Sequence, residues 1–197
     1  MNRPRQLILL LFLLICGLSG MAQTNVVSVD MFGLLHGRKG ISYERSFKNK
    51  FSARLSYENQ RYSYGETNGQ TVYQVRGEGV IPELRFYPFF NKKPAPLGFY
   101  FGPSLRYIRV TETYSPTNIK LSGTVFNYTI ISGYKFNLDR LVFDLLAGYG
   151  SGLVSGLNGK KRSKIDPFYS DDTIDDLKAN FRIEISMGFY FPKLKSD

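Results

Sequence analysis

The chain has 197 residues and a formal net charge of +10. Its only cysteine is Cys16, so a disulfide-stabilised fold is excluded, although small exported domains often depend on disulfides. After the N-terminal segment, no stretch reaches the roughly 18 consecutive apolar residues that indicate a membrane-spanning helix, which excludes a helical membrane protein. The 14 tyrosines, 16 phenylalanines and 19 glycines are typical of a β-rich protein.

The first 22 residues have the three parts of a cleaved secretory signal. Two arginines precede an apolar run over residues 7–15, and small residues lead to a cleavage site after Ala22. Because Ile15 precedes the cysteine where a lipoprotein signal needs a small residue, lipidation of that cysteine is disfavoured. The sequence therefore predicts a signal peptide over 1–22 and one mature domain over 23–197, with a net charge of +8 after loss of the two arginines.

Eight segments of the mature domain alternate apolar and polar residues with a period of two, as β-strands with one apolar face do. The last is the clearest: Phe181, Ile183 and Ile185 share one face, and Arg182 and Glu184 share the other. Each segment is long enough to cross a bilayer as a tilted strand, which takes about 9–11 residues. The strands are predicted near residues 26–32, 39–47, 50–61, 79–89, 98–111, 122–136, 141–152 and 181–191.

The predicted connections alternate in length, and aromatic residues cluster near the strand ends. With an even number of strands, both termini lie at the rim that has the short turns. This pattern is typical of an outer-membrane barrel, in which short turns face the periplasm and longer loops face outward. Short connections are predicted at 48–50, 90–97 and 137–140, and longer ones at 62–78, 112–121 and 153–179, with a shorter first loop at 33–38.

In these features the chain resembles the eight-stranded outer-membrane barrels of the OmpA-barrel and OmpX-like group, and especially the related barrel domains of unknown function. The similarity lies in the segments ISYERSF, KFSARLSYE, GVIPELRFYPFF, GFYFGPSLRY and FRIEISMGFYF. It implies an all-β, eight-stranded, antiparallel, up-and-down transmembrane barrel in the outer membrane of a Gram-negative bacterium. Because the resemblance is a pattern of strands, it transfers no active site.

The chain departs from the family pattern at two places. Barrels of this kind usually end on an aromatic residue, whereas six residues follow Phe191 here. We also expect no periplasmic peptidoglycan-binding domain. Pro82 and Pro103 fall inside predicted strands on the apolar face. Since proline cannot donate a hydrogen bond to a β-ladder, we expect bulges or local breaks at both positions.

The polar faces of the strands carry charges of both signs in nearly equal number. Eight strands enclose an interior just wide enough for side chains, and buried charges need partners. We therefore expect a plug of salt bridges and hydrogen bonds rather than a general porin, with a narrow ion pathway as a disfavoured alternative. The acidic members are Asp30, Glu44, Glu58, Glu83, Asp144 and Glu184, and the basic members are Arg54, Arg85, Arg106, Lys135 and Arg182.

The last predicted loop carries a basic cluster that could contact lipopolysaccharide phosphates. An acidic stretch follows it, but its spacing matches no calcium-binding loop, so no metal and no cofactor are expected. The glycines at 148, 150 and 152 lack the context of a phosphate-binding loop and are better explained by close packing of the barrel wall. The basic residues are Lys160, Lys161, Arg162 and Lys164.

Three functional hypotheses follow. The first is a non-enzymatic outer-membrane barrel with a structural or surface-interaction role through its outer loops. The second is a surface lipid-modifying enzyme that uses His36, the only histidine, with Ser170 and the carboxylates of Asp171 or Asp172. The third is a secreted soluble barrel of lipocalin type, whose apolar face would line a ligand cavity.

We favour the first hypothesis because the apolar face is aromatic at the rims and the polar face has few lysines. The expected partners are outer-membrane lipid and lipopolysaccharide, with the barrel-assembly machinery and periplasmic chaperones during transit. Nucleic acid is not expected as a partner of an exported chain, and the barrel is expected to be a monomer.

Overall fold

The structure is a computed structural model that describes residues 24–35, 37–47, 50–67, 70–89, 96–114, 119–155 and 180–191. These residues form eight strands and one short helix. Their bounds are β1 (Asn25–Asp30), α1 (Met31–Leu35), β2 (Arg38–Phe47), β3 (Phe51–Thr67), β4 (Gln70–Phe86), β5 (Gly98–Tyr114), β6 (Ile119–Leu138), β7 (Leu141–Ser155) and β8 (Asn180–Phe191).

Every strand pairs antiparallel with its neighbours in sequence, and β1 also pairs with β8, which closes the barrel. Closure satisfies the backbone hydrogen bonds around the whole ring, so that the closed part has no free sheet edge. The predicted eight-stranded up-and-down barrel is confirmed. We call the end with Asn25, Phe191 and the Leu138↔Leu141 hairpin the lower rim, and the end with α1 the upper rim. Among the described residues, no helix has the length and apolar character needed to cross a membrane.

Four strands continue upward beyond the others, as two extended hairpins. β3 and β4 stay paired up to Thr67↔Gln70, and β5 and β6 up to Tyr114↔Ile119. The prediction that 62–78 and 112–121 are loops was therefore wrong in secondary structure, although both segments still form long connections at the upper rim. The reason is that the outer face of these extensions is polar and their inner face carries buried apolar residues such as Val75 and Ile108, so the alternation reverses its phase relative to the lower strands.

The two strand prolines interrupt one ladder without shifting its register. β4 and β5 pair continuously from Tyr73↔Tyr114 to Val80↔Tyr107, and below that only at Glu83↔Ser104 and Phe86↔Phe101. The offset between the strands is the same in all these pairs, so no residue is bulged out. The expected local break is thus found near Pro82 and Pro103, and the alternative of a bulge is wrong.

Helix α1 shortens the first strand relative to its predicted end at residue 32. Oδ1 of Asp30 accepts a hydrogen bond from the backbone N–H of Gly33 at 2.9 Å, as an N-cap residue does. Oδ2 of the same carboxylate accepts one from Nη2 of Arg38 at 2.7 Å. Because Asp30 satisfies the first turn, Met31 leaves the sheet and begins a helix.

The apolar faces of the strands point outward and the polar faces point inward. Ile130, Leu153 and Phe181 are each about 70% exposed, whereas Glu44 and Arg85 are 2% and 0% exposed. The hypothesis of a lipocalin-like cavity lined by the apolar face is therefore wrong. Near the lower rim, Tyr87, Tyr100, Ile131 and Leu146 pack together inside the barrel. Other apolar side chains, such as Ile108 and Val125, are buried higher up.

Candidate functional site

The lower lumen holds a cluster of two acids and two bases contributed by four strands, which we call the lower cluster: Glu44 (β2), Arg85 (β4), Lys135 (β6) and Asp144 (β7). Nη1 of Arg85 lies 2.7 Å from Oδ2 of Asp144 and 3.1 Å from Oε2 of Glu44. Nζ of Lys135 contacts Glu44 and lies 3.5 Å from Asp144. Glu44 thus faces two cations, and Asp144 faces three because Nη1 of Arg54 lies 3.7 Å from its Oδ2, which offsets the cost of burying charge.

Two tyrosines complete the lower cluster. The hydroxyl of Tyr87 donates to Glu44 at 2.8 Å, and that of Tyr100 donates to Asp144 at 2.7 Å. The guanidinium of Arg85 lies over the ring of Tyr100, with Cζ 4.3 Å from its centroid. Both tyrosines occur on the polar side of the sequence alternation, which was the only signal that could have assigned them to this cluster.

A second group, the middle cluster, lies above the first and joins Arg54, Glu83, Arg182 and Glu184. Glu83 accepts hydrogen bonds from Nε and Nη2 of Arg85 at 2.9 and 2.6 Å, so the two clusters are continuous. Nη1 of Arg182 lies 2.7 Å from Oε1 of Glu83, and both Arg54 and Arg182 contact Glu184.

Two isolated ion pairs lie nearer the upper rim. Glu58 faces Arg106 with Oε1 2.7 Å from Nη2, and Asp30 faces Arg38 as described above. A cavity of about 10 Å³ beside Ser56 and Glu58 has room for about one water molecule. Charged side chains from all eight strands thus meet inside the described part of the barrel.

All nine residues predicted for the lumen network point inward, and each has an ion pair with another charged lumen residue. Arg106 is half-buried and the other eight are buried. Of the two other residues placed inside, Lys135 belongs to the lower cluster and Asp30 forms the separate pair with Arg38. Sequence reasoning missed Arg38, because it stands at the first position of β2, where alternation alone does not assign a face.

The other predicted candidates lie outside the described residues. This applies to the signal segment 1–22, to His36, to Ser170 with Asp171 and Asp172, and to the predicted lipopolysaccharide-contact cluster Lys160, Lys161, Arg162 and Lys164. Among the described residues, no group of three or more histidine, cysteine, aspartate or glutamate side chains could hold a metal ion.

The glycines of β7 pack against β6 inside the barrel wall. A Cβ on Gly148 would lie 2.9 Å from side-chain carbons of Ile131 and Thr129, and one on Gly152 would lie 2.6 Å from Oδ1 of Asn127. Close wall packing therefore accounts for this glycine-rich segment.

The outer surface changes character from one row of paired residues to the next in the upper barrel. The strand register places one outward residue from each of β3, β4, β5 and β6 side by side in a row. One such row is aromatic and aliphatic, and the next two outward rows above it are polar. We call these rows the belt row and the first and second polar rows. The belt row is Tyr57, Val80, Tyr107 and Phe126; the first polar row is Asn59, Glu78, Arg109 and Thr124; the second polar row is Arg61, Arg76, Thr111 and Ser122.

Aromatic side chains form a band at the lower rim. Ring centroids are 6.2 Å apart for Phe47 and Phe51, 5.1 Å for Phe51 and Phe86, and 5.3 Å for Phe86 and Phe101. On the other side of the barrel, Phe136 on β6 stacks with Phe143 on β7 at 5.3 Å. The outward apolar surface is thus bounded by aromatic residues below and by polar rows above.

No family model and no curated protein matches the chain. Solved structures do share its fold. Ail, the attachment invasion locus protein of Yersinia pestis, in complex with the heparin analogue sucrose octasulfate, gives a TM-score of 0.50 at 12% identity, covering 87% of this chain and 100% of Ail. A major outer membrane protein from Thermus thermophilus gives 0.47 at 15% identity, covering 86% and 99%. The likeness to Ail shows that the chain shares the fold of this protein.

Proposed function

We propose that the protein is a non-enzymatic outer-membrane β-barrel of a Gram-negative bacterium, exported with cleavage of residues 1–22. Its lumen is closed by charged side chains, and it acts structurally or in surface interactions through the part that projects beyond the upper rim. Its lipid environment includes lipopolysaccharide, it uses the periplasmic chaperones and barrel-assembly machinery in transit, and it is a monomer that binds no nucleic acid.

The observation that carries the proposal is the distribution of side chains, which is the reverse of that in a soluble protein. Charged side chains lie inside the barrel, and aromatic and aliphatic side chains lie outside. On β3 the outward apolar positions run from Phe51 to Tyr57, and on β6 from Phe126 to Leu138. Membrane barrels carry such an apolar band about 25 Å tall between aromatic girdles. Contact of this apolar surface with water would be unfavourable, whereas lipid acyl chains would cover it.

The buried ion pairs of the lumen support a role other than general diffusion. The lower and middle clusters are continuous through Arg85 and Glu83, and they join side chains from β2, β3, β4, β6, β7 and β8. A solute would have to break several buried ion pairs to pass. We therefore assign activity to the projecting hairpins of β3–β4 and β5–β6 rather than to a pore.

The first test uses the full precursor in a Gram-negative host. The outer-membrane fraction is run on SDS gels with and without boiling, because a closed membrane barrel resists SDS until it is heated and migrates differently when folded. We expect a heat-dependent band in that fraction, and N-terminal sequencing of the band to begin at Gln23. Recovery of the protein in the soluble periplasmic fraction, without a heat-dependent shift, would overturn the membrane assignment.

A further inference from the structure

The arginines above the belt row form an unusual arrangement. Arg61 on β3 and Arg76 on β4 are directly opposite each other in the register, and Arg109 on β5 lies diagonally from Arg76. All three are exposed on the outer face. Like charges directly opposite on one face of a sheet are destabilising. We call these three residues the outer arginine patch.

The described part of the protein does not neutralise this patch. Glu78 is opposite Arg109, so the three arginines of the patch exceed their neighbouring carboxylate by two charges. Lys39 on β2 pairs with Asn59 and adds a third excess cation beside the first polar row. Among the described residues, no salt bridge involves Arg61, Arg76 or Arg109. Within the part of the chain that the structure describes, the pair Arg61 and Arg76 therefore has no carboxylate partner.

The position of the patch defines what kind of anion can reach it. Arg109 lies one outward row, and Arg61 and Arg76 two outward rows, above Tyr57 and Tyr107, the tyrosines of the belt row. Tyrosines in this setting mark the boundary between hydrocarbon and head groups. The next row up, Ser63, Gln74, Thr113 and Lys120, carries a single charge.

The charge is thus concentrated at the level of the lipid head groups and falls away above it. A soluble acidic protein that approached from outside would meet the projecting hairpins first, and the next described row up carries only the one cation of Lys120. A phosphorylated lipid already lies at the correct depth, with its acyl chains against the belt row. Guanidinium groups suit phosphate oxygens because they donate paired hydrogen bonds.

We propose that the outer arginine patch binds the phosphate groups of a phosphorylated glycolipid of the lipopolysaccharide type, held on the outer wall of β3, β4 and β5. This inference rests on the proposed membrane location and names a lipid site that the lumen and the loops do not provide. The lipid phosphate would relieve the repulsion between Arg61 and Arg76, so the barrel would be more stable with the lipid than without it.

The test measures binding of diphosphoryl lipid A to the folded protein, extracted from the outer-membrane fraction in nonionic detergent, by native mass spectrometry. The comparison lipid has the same acyl chains and no phosphate. The variant is Arg61→Gln with Arg76→Gln. The charge-matched control is Lys120→Gln with Arg140→Gln, which removes one exposed cation above the patch and one at the lower rim.

We expect the dephosphorylated lipid to bind at least about tenfold more weakly. The arginine double variant should bind diphosphoryl lipid A about 20-fold more weakly, since each basic residue near an anionic lipid surface contributes roughly a fivefold factor. The control should stay within about twofold of the parent protein. The variant should still fold, as judged by its heat-dependent band, because it loses a repulsive pair.

Three results would overturn the inference. These are equal binding of the two lipids, equal weakening in the control variant, or complete displacement of lipid A by excess inorganic phosphate, which would indicate a site for free anions. In each of these cases a heat-dependent band in the outer-membrane fraction would leave the proposed function intact. Absence of that band would contradict the proposed function itself, before any lipid is added.

Discussion

Arg85 and Asp144 lie 59 positions apart in the chain and meet across the lumen, where Nη1 of the arginine donates to Oδ2 of the aspartate at 2.7 Å. The same guanidinium also contacts Glu44 and Glu83, so a single fully buried cation serves three carboxylates. This relationship makes Arg85 the residue on which the closure of the lower lumen depends most.

Replacement of Arg85 by leucine should therefore destabilise the barrel strongly. Removal of one partner from a buried charge cluster typically costs about 3–5 kcal/mol, because the remaining carboxylates stay buried and uncompensated. The measurement is urea unfolding, followed as the fraction that keeps its folded migration on unboiled SDS gels. Arg140→Leu, at the exposed lower-rim turn, is the control and should change the free energy of unfolding by less than about 0.5 kcal/mol. Equal midpoints for the two variants would contradict a structural charge network.

Gly133 is required because the backbone carbonyl oxygen of Leu145 and the ring of Tyr100 occupy the space of a side chain there. The two residues are directly opposite in the register, and a Cβ on Gly133 would lie 2.5 Å from the Tyr100 hydroxyl oxygen and 2.6 Å from its Cζ. Gly133→Ala should displace the ring, weaken its bond to Asp144 and cost about 1–3 kcal/mol of unfolding free energy. Ser132→Ala, on the outward side of the same strand, is the control. A Gly133→Ala barrel as stable as the parent would show that the ring can move freely.

The proposed membrane level can be tested by a depth-dependent substitution on one strand. Ile130 is in the middle of the apolar face of β6, and Ser122 is on the same face in the second polar row. An arginine at Ile130 should cost about 2–4 kcal/mol in lipid vesicles, and one at Ser122 about 0–1 kcal/mol, because the penalty depends on depth in the bilayer. Equilibrium refolding into vesicles provides the measurement. Equal effects at the two positions would argue against a bilayer around β6.

A closed lumen should not conduct ions steadily. Purified protein in a planar bilayer is expected to give no stable open level, because an ion would have to break the buried ion pairs of the lower and middle clusters to pass. A general porin reconstituted by the same procedure is the positive control. Sustained conductance of the parent protein, with its folded migration retained, would show that the buried ion pairs open and would revive the alternative of a narrow ion pathway.

Asp30 has two roles that two substitutions can separate. Asp30→Ala removes both the cap of α1 and the pair with Arg38, whereas Asp30→Asn can keep the acceptor for the Gly33 N–H. Loss of an N-cap acceptor costs about 1 kcal/mol. Hydrogen exchange of the Gly33 amide should therefore be about fivefold faster in the alanine variant than in the asparagine variant. The same exchange rate in both variants would show that the cap contributes little to α1.

Several features of the fold could be predicted because they repeat along the chain. Alternation over eight segments identifies the strands. The face of each strand that carries charges of both signs, such as Glu44, Arg54 and Glu184, is identified as the side that faces the lumen. Above the belt row the alternation reverses its phase, since strands that leave the apolar layer no longer need an apolar outer face, and sequence reasoning did not follow the strands through this change. It also failed at Asp30, where a side-chain cap ends a strand in a way that periodicity does not encode.

The partners of each charge depend on register and closure, which no local pattern specifies. The sequence by itself determined the number of strands, their two faces and the balance of charge inside, because each is a property of residues two apart. Only the tertiary structure decided that Arg85 meets Asp144, that Tyr100 covers Gly133, and that Arg61 stands opposite Arg76. These contacts join strands that are far apart in sequence or fixed by hairpin register, and a shift of pairing by one residue would have replaced all of them.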